Sequence, residues 1–172
     1  GQTRAGKVGA QVTFRRWCLL IASLLMLASC GSSTRDGYRD RAAPIGATTR
    51  FDPQQMTGDW WIRAEFAEEA PIQRQITYAL DGSEAFLIGP KDGQLVRHEL
   101  GRGARWHAGQ DRPEIWLLWV DTGYRTAALG TPDGQFGMIL DRSPSGGADR
   151  ITAASEILEW FGYDMNKLQE TR

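Results

Sequence analysis

Side chains able to do chemistry are few and scattered along this 172-residue chain. It has two histidines, His98 and His107, and two cysteines, Cys18 and Cys30. A metal site needs several Cys, His or carboxylate ligands gathered together. Neither histidine has such company in sequence, so no metal and no cofactor is expected. No Gly-x-Ser-x-Gly elbow is present, and Gly101-Arg102-Gly103 lacks the strand–helix setting of a phosphate loop. With no nucleophile–base arrangement, the chain is not expected to be an enzyme. What it does have is aromatic surface. Tyr78, Phe86, Trp106, Trp116 and Trp119, together with His98, are the candidate ligand-binding residues. Two readings of them stand. They line an apolar pocket in which His98 meets a head group or carboxylate, or they fill the interior themselves while His98 sits hydrated at a rim. His107 shares its parity with Arg105 and is expected to be exposed.

These residues fall in segments of alternating polarity. Trp60, Ile62, Ala64 and Phe66 share one period-two face, with Trp61, Arg63 and Glu65 on the other. Turn signals follow at intervals of about ten residues: Asp81-Gly82, Asp92-Gly93, Gly101 to Gly103, Asp111 to Pro113, Thr122-Gly123 and Asp133-Gly134. Strands are predicted at 60–66, 73–80, 85–89, 94–100, 104–108, 114–121, 124–130 and 136–142. That spacing predicts an all-β fold, an eight-stranded antiparallel up-and-down β-barrel. Residues 115–120 are apolar on both faces, so something must cover the outside. A helix over 149–161 supplies the cover, with Ile151, Ala154, Leu158 and Phe161 in one stripe, Asp149 as N-cap and Gly162 as the C-terminal stop.

The charges nearly cancel, 20 Lys+Arg against 21 Asp+Glu, which gives no basic surplus for nucleic acid. The N-terminal part reads as a targeting segment. Arg4, Lys7, Arg15 and Arg16 precede an apolar run at 17–29 that falls short of the roughly 20 residues of a membrane-spanning helix. The run ends in Leu27-Ala28-Ser29-Cys30-Gly31, which resembles the bacterial lipobox. That resemblance implies a signal peptide at 1–29 and an acylated Cys30 at the mature N-terminus. Removal of Cys18 then leaves no partner for a disulfide. Residues 30–50 are Gly/Ser/Thr/Arg-rich and are expected to be a flexible tether, with the folded domain at 51–172.

Gly58-Asp59-Trp60 at the first strand is similar to the first lipocalin motif. Asp121-Thr122-Gly123-Tyr124-Arg125 looks like the second, a turn between strands, and Ile139-Leu140-Asp141-Arg142 like the third. The tail from Gly162 to Leu168 and the run from Leu129 to Asp133 resemble bacterial lipocalins of the outer-membrane lipoprotein type, the apolipoprotein D-like branch. The resemblance implies structural roles for Gly58, Trp60, Asp121, Tyr124, Arg125 and Arg142, with Arg142 lying across the Trp60 indole at the closed end of the barrel. It also implies a small hydrophobic ligand such as a fatty acid or lysophospholipid. The protein would be held through Cys30 in the cell envelope, on the outer membrane facing the periplasm. The alternative is a filled barrel that serves the envelope through its outer surface.

Overall fold

The first strand, β1 (Gly58–Phe66), organises the sheet because it pairs on both sides and changes partner along its length. The computed structural model describes residues 37–82, 84–88, 95–100, 103–107 and 113–172, with 84–88 and 95–100 given as backbone. A short helix, α1 (Pro53–Met56), precedes β1, capped by Asp52, whose carboxylate accepts the Gln54 N–H. The chain continues through β2 (Gln75–Asp81), β3 (Glu84–Ile88), β4 (Leu95–Leu100), β5 (Arg105–His107), β6 (Ile115–Val120), β7 (Thr126–Gly130) and β8 (Gly137–Asp141). It closes with helix α2 (Ala148–Trp160), a 3₁₀ turn at Met165–Lys167 and β9 (Leu168–Glu170).

Each strand from β1 to β8 pairs antiparallel with the next, and β8 pairs with β1. The result is a curled antiparallel sheet with a concave inner face and a C-terminal helix on its outer face, as the turn spacing and helical stripe predicted. The first half of β1 is bonded to β2 from Gly58↔Tyr78 to Trp61↔Gln75. The second half takes β9 instead, from Ala64↔Glu170 to Phe66↔Leu168.

The change of partner coincides with a bulge. Ile62 pairs with Leu140 and Ala64 with Ile139, leaving Arg63 as the extra residue. One inserted residue reverses the face of everything after it. Trp60 and Ile62 therefore join the inner core, and Ala64 and Phe66 the outer core beneath α2. This corrects the single face expected for all four. A second bulge lies between Leu117 and Trp119. It leaves Trp119 on the outer side with Leu118 and returns Val120 to the inner side with Leu117.

Two apolar layers result. The inner one includes Trp60, Ile62, Ile76, Tyr78, Trp106, Leu117, Leu129 and Leu140. The outer one joins Ala64, Phe66, Leu118, Ala128 and Ile139 of the sheet to Ala154 and Leu158 of α2. The N-cap of α2 is Gly147, in the left-handed region at φ 67°, rather than Asp149, which lies in the first helical turn. At the other end the Gly162 N–H reaches Glu159 O at 2.8 Å and the Tyr163 N–H reaches Leu158 O at 3.1 Å. With Gly162 at φ 87° these bonds form a Schellman stop.

The tether expected at 30–50 is corrected from Gly37 onward, where the chain is packed on the domain. Tyr38 N–H donates to Gly134 O and Asp40 N–H to Gly162 O, both at 2.8 Å. Arg39 is 2% exposed. Its guanidinium donates to Phe161 O at 2.7 Å, to Pro132 O at 2.9 Å and to Ala43 O. Three carbonyls satisfy the buried cation, and its burial holds the pKa below the usual arginine value. Further on, Ala47 packs against the inner core and Thr48 N–H donates to Leu117 O at 2.8 Å. The composition concealed this because Tyr38 and Ile45 are the only large apolar residues packed from this segment, and backbone bonds with the Arg39 side chain do much of the rest.

Candidate functional site

The inner face of the sheet is the candidate site, and it is built upward from its Trp60 end. Trp60 is fully buried and donates its Nε1–H to Met56 O at 2.8 Å, which ties α1 to the sheet. Arg142 lies over the indole, its guanidinium carbon 3.8 Å from the ring centre. The same guanidinium donates to Tyr124 O at 3.2 Å, Asp59 O at 3.0 Å and Gln55 O at 2.8 Å. Desolvation lowers its pKa, and the nearby Asp59 pulls the other way. Gly58 adopts φ 101°, and a Cβ there would stand 3.3 Å from Arg142 Nη1, so glycine serves both the turn and the close approach.

Asp121 organises the neighbouring turn. Burial alone would raise its pKa, but N–H bonds from Thr126, Arg125 and Gly123 and the Arg125 side chain outweigh it and hold the carboxyl below the usual range. Thr126 N–H lies 2.8 Å and Arg125 Nε 3.0 Å from its oxygens. Tyr124 takes the left-handed conformation at φ 51°. Its hydroxyl accepts the Asp52 N–H at 2.6 Å, joining this turn to α1.

At this same end lie Tyr78 and Trp106, 1% and 0% exposed, with ring centroids 5.8 Å apart. Trp106 also meets the edge of Phe51 at 6.0 Å. By hydrogen-bond geometry Tyr78 Oη and Trp106 Nε1 have no partner among the described residues, although the indole N–H lies close enough to the phenol to act on its pKa. Burial pushes the Tyr78 phenol up to about 12, partly offset by the Trp106 indole beside it. Toward the other end of β1, Glu65 stands opposite the inner-core residue Met138 and pairs with Arg74.

No family model matches this sequence, and no curated protein matches it. Solved structures do match in shape. Apocrustacyanin C1 superposes with a TM-score of 0.50 at 13% identity, over 75% of this chain and 89% of its own. The allergen Per a 4 from cockroaches gives 0.50 at 12% identity, over 77% and 95%. The siderocalin Ex-FABP gives 0.52 at 11% identity, over 68% and 93%. The fold is that of the lipocalins. At such identities the likeness is one of fold.

Within this lipocalin fold the sequence-selected residues separate. Tyr78 and Trp106 sit together on the inner face. Trp116 and Trp119 do not join them, which corrects their expected place among the ligand-binding residues. Both are half-buried and pack on the outer core by α2. The bulge at Leu118 is the reason, since it breaks the alternation that would have brought one of them inside. Trp116 is engaged outside, with Arg105 at 4.1 Å over its ring and its Nε1–H donating to Glu114 at 2.6 Å. The side chains of Phe86 and His98 lie outside the described residues; their backbones pair as Phe86↔Arg97 and Ala85↔His98. Cys30 also lies outside them. His107 is 47% exposed in its side chain and 3.1 Å from Glu114.

Sequence reasoning missed the unpartnered polarity of Tyr78 and Trp106, having weighed both as apolar surface. It also missed the Glu65–Arg74 pair, because strict alternation placed Glu65 outside. Among the described residues no group of three His, Cys, Asp or Glu could hold a metal ion, and no helix is long and apolar enough to cross a membrane.

Proposed function

We propose that this chain is a lipid-anchored lipocalin of the bacterial envelope, holding a small hydrophobic molecule such as a fatty acid or lysophospholipid inside its curled sheet. In this reading β1 to β8 form an eight-stranded up-and-down barrel, residues 1–29 are a signal peptide and acylated Cys30 fixes the protein to the outer membrane on its periplasmic side. The observation that carries the ligand-holding part is the inner face itself, apolar and aromatic from Trp60 through Ile76, Tyr78 and Trp106 to Leu129. A ligand buried there would gain about 0.8 kcal/mol for each methylene removed from water. Likeness in fold to a siderocalin described as having dual ligand specificities supports a ligand-holding interior. The resemblance of Leu27 to Cys30 to a lipobox supports the anchor, and the bacterial, apolipoprotein D-like branch rests on the tail residues from Gly162 to Leu168. The role proposed is carriage, not catalysis.

Titration with lauric or palmitic acid, read by tryptophan fluorescence, tests the reading. A saturable change is expected, and the absence of one with any acyl ligand overturns it. Native mass spectrometry of protein purified from membranes reads the acyl group on Cys30 and any co-purified lipid together.

One observation favours the alternative, a filled barrel that serves the envelope through its outer surface. The buried inner residues expose at most 7% of their surface, so side chains already occupy much of the interior at the Trp60 end. The same titration separates the two, because a filled interior gives no saturable change.

A further inference from the structure

Among the described residues, two polar atoms of the inner core lack hydrogen-bond partners. Tyr78 Oη and Trp106 Nε1 are buried and find no partner among the described residues, and their rings pack tilted at 54° with centroids 5.8 Å apart. Buried polar groups in folded proteins are satisfied in the great majority of cases, so two unsatisfied ones side by side call for a missing partner. Their chemistry says what kind. An indole N–H can only donate, and a phenol can donate once and accept. If the indole N–H turns toward the phenol oxygen, the phenol hydrogen is still left over. The pair lacks an acceptor, and no rearrangement within it supplies one. Burial raises the phenol's pKa to about 12, so it stays a protonated donor across the neutral range.

Charge narrows the acceptor further. Among the described residues of the inner face, the cations are already engaged. Arg142 is held by Trp60 and three carbonyls, and Arg74 is held by Glu65. Among the described residues no free cation remains beside Tyr78 and Trp106 to neutralise an ionised carboxylate, whose burial unpaired would be costly. An ester or ketone oxygen needs only donors.

We propose that Tyr78 and Trp106 form a polar anchor for the uncharged carbonyl oxygen of an acyl ester, which enters the barrel oxygen-first. Tyr78 stands opposite Gly58 at the start of β1, and Trp106 touches Phe51, which leads into α1. The anchor is therefore at the Trp60 end, and the apolar tail runs toward Glu65 and Arg74. The inference rests on the ligand-holding reading above and specifies the ligand's polar end.

Matched ligands test it on the purified full chain: methyl laurate, pentadecane of equal heavy-atom count, and sodium laurate. The readout is the ratio of ester affinity to alkane affinity. We expect Tyr78→Phe, which keeps the ring volume, to lower that ratio about tenfold, with pentadecane affinity changed by less than about twofold. Trp106→Phe is expected to lower the ratio in the same direction, and sodium laurate to bind the wild type more weakly than its methyl ester. A ratio unchanged in Tyr78→Phe overturns the anchor, including the case where a buried water alone satisfies the pair and only stability moves. Tighter binding of laurate than of its ester also overturns it. If pentadecane binds and the ratio does not respond, the anchor fails and the ligand-holding reading stands. If pentadecane, the ester and laurate all fail to bind, both fail.

Discussion

The Arg142 guanidinium rests 3.8 Å above the Trp60 ring while reaching three backbone carbonyls, on Gln55, Asp59 and Tyr124. One side chain thereby joins α1, the start of β1 and the β6–β7 turn. A cation over an indole contributes about 0.5–2 kcal/mol, and hydrogen bonds from a charged donor add to it. Arg142→Ala is expected to destabilise the fold by about 2–4 kcal/mol. Arg142→Lys should recover only part, because an ammonium cannot span three carbonyls and cover the ring together. Urea unfolding checks both, and a double-mutant cycle with Trp60→Phe isolates the ring contribution.

Arg39 does at the N-terminal segment what Arg142 does at the base. Arg39→Ala would leave the carbonyls of Phe161, Pro132 and Ala43 without their donor in a buried place. A loss of about 2–3 kcal/mol is expected, with faster tryptic cleavage after Arg41 and Arg50. Equal cleavage of wild type and variant would contradict the packing of this segment.

The tryptophans divide into inner and outer sets, which fluorescence can read. Trp116→Phe and Trp119→Phe are expected to keep the full ligand-dependent change, because both indoles pack outside the sheet. Trp106→Phe is expected to remove a large share of it. Loss of the signal in Trp119→Phe alone would place the ligand outside the sheet.

Phe66 is the residue most displaced by the first bulge. Its ring lies 4.9 Å from Tyr163 and 5.8 Å from Tyr38, under α2. Phe66→Ala should cost about 3–4 kcal/mol and leave ligand affinity unchanged. An inward Phe66 would alter both.

Asp121 gives the acid limb of stability a definite sign. Its folded pKa lies below its unfolded value, so its contribution is complete above an unfolded value of about 3.9 and is lost as pH falls through the folded one. Asp121→Asn should flatten unfolding in that window. At the alkaline end Tyr78 and Tyr163 are each pushed up to about 12 by burial. They favour the folded state below an ordinary phenol value of about 10, and that advantage is lost as pH rises toward 12. Chemical denaturation across pH measures both limbs.

Much of the frame was legible in the chain. Alternation in β1, β2 and β4, turn residues at regular spacing and the Ile151, Ala154, Leu158 stripe called for an antiparallel meander covered by one helix. The glycine and tryptophan at the start of β1 and the arginine after β8 marked the base. These are local patterns, and local periodicity is what a sequence records directly.

Tertiary structure decided the rest. That Ala64, Phe66 and Trp119 face outward depended on single extra residues at Arg63 and Leu118, and a bulge is defined by the partner strand, not by the strand that carries it. The packing of residues 37–50 depended on carbonyls contributed by Pro132, Gly134, Phe161 and Gly162, far along the chain. That Tyr78 and Trp106 meet without an acceptor could be seen only once β2 and β5 curled toward each other, because a hydrogen bond left unmade is a property of the assembled interior and of no single segment.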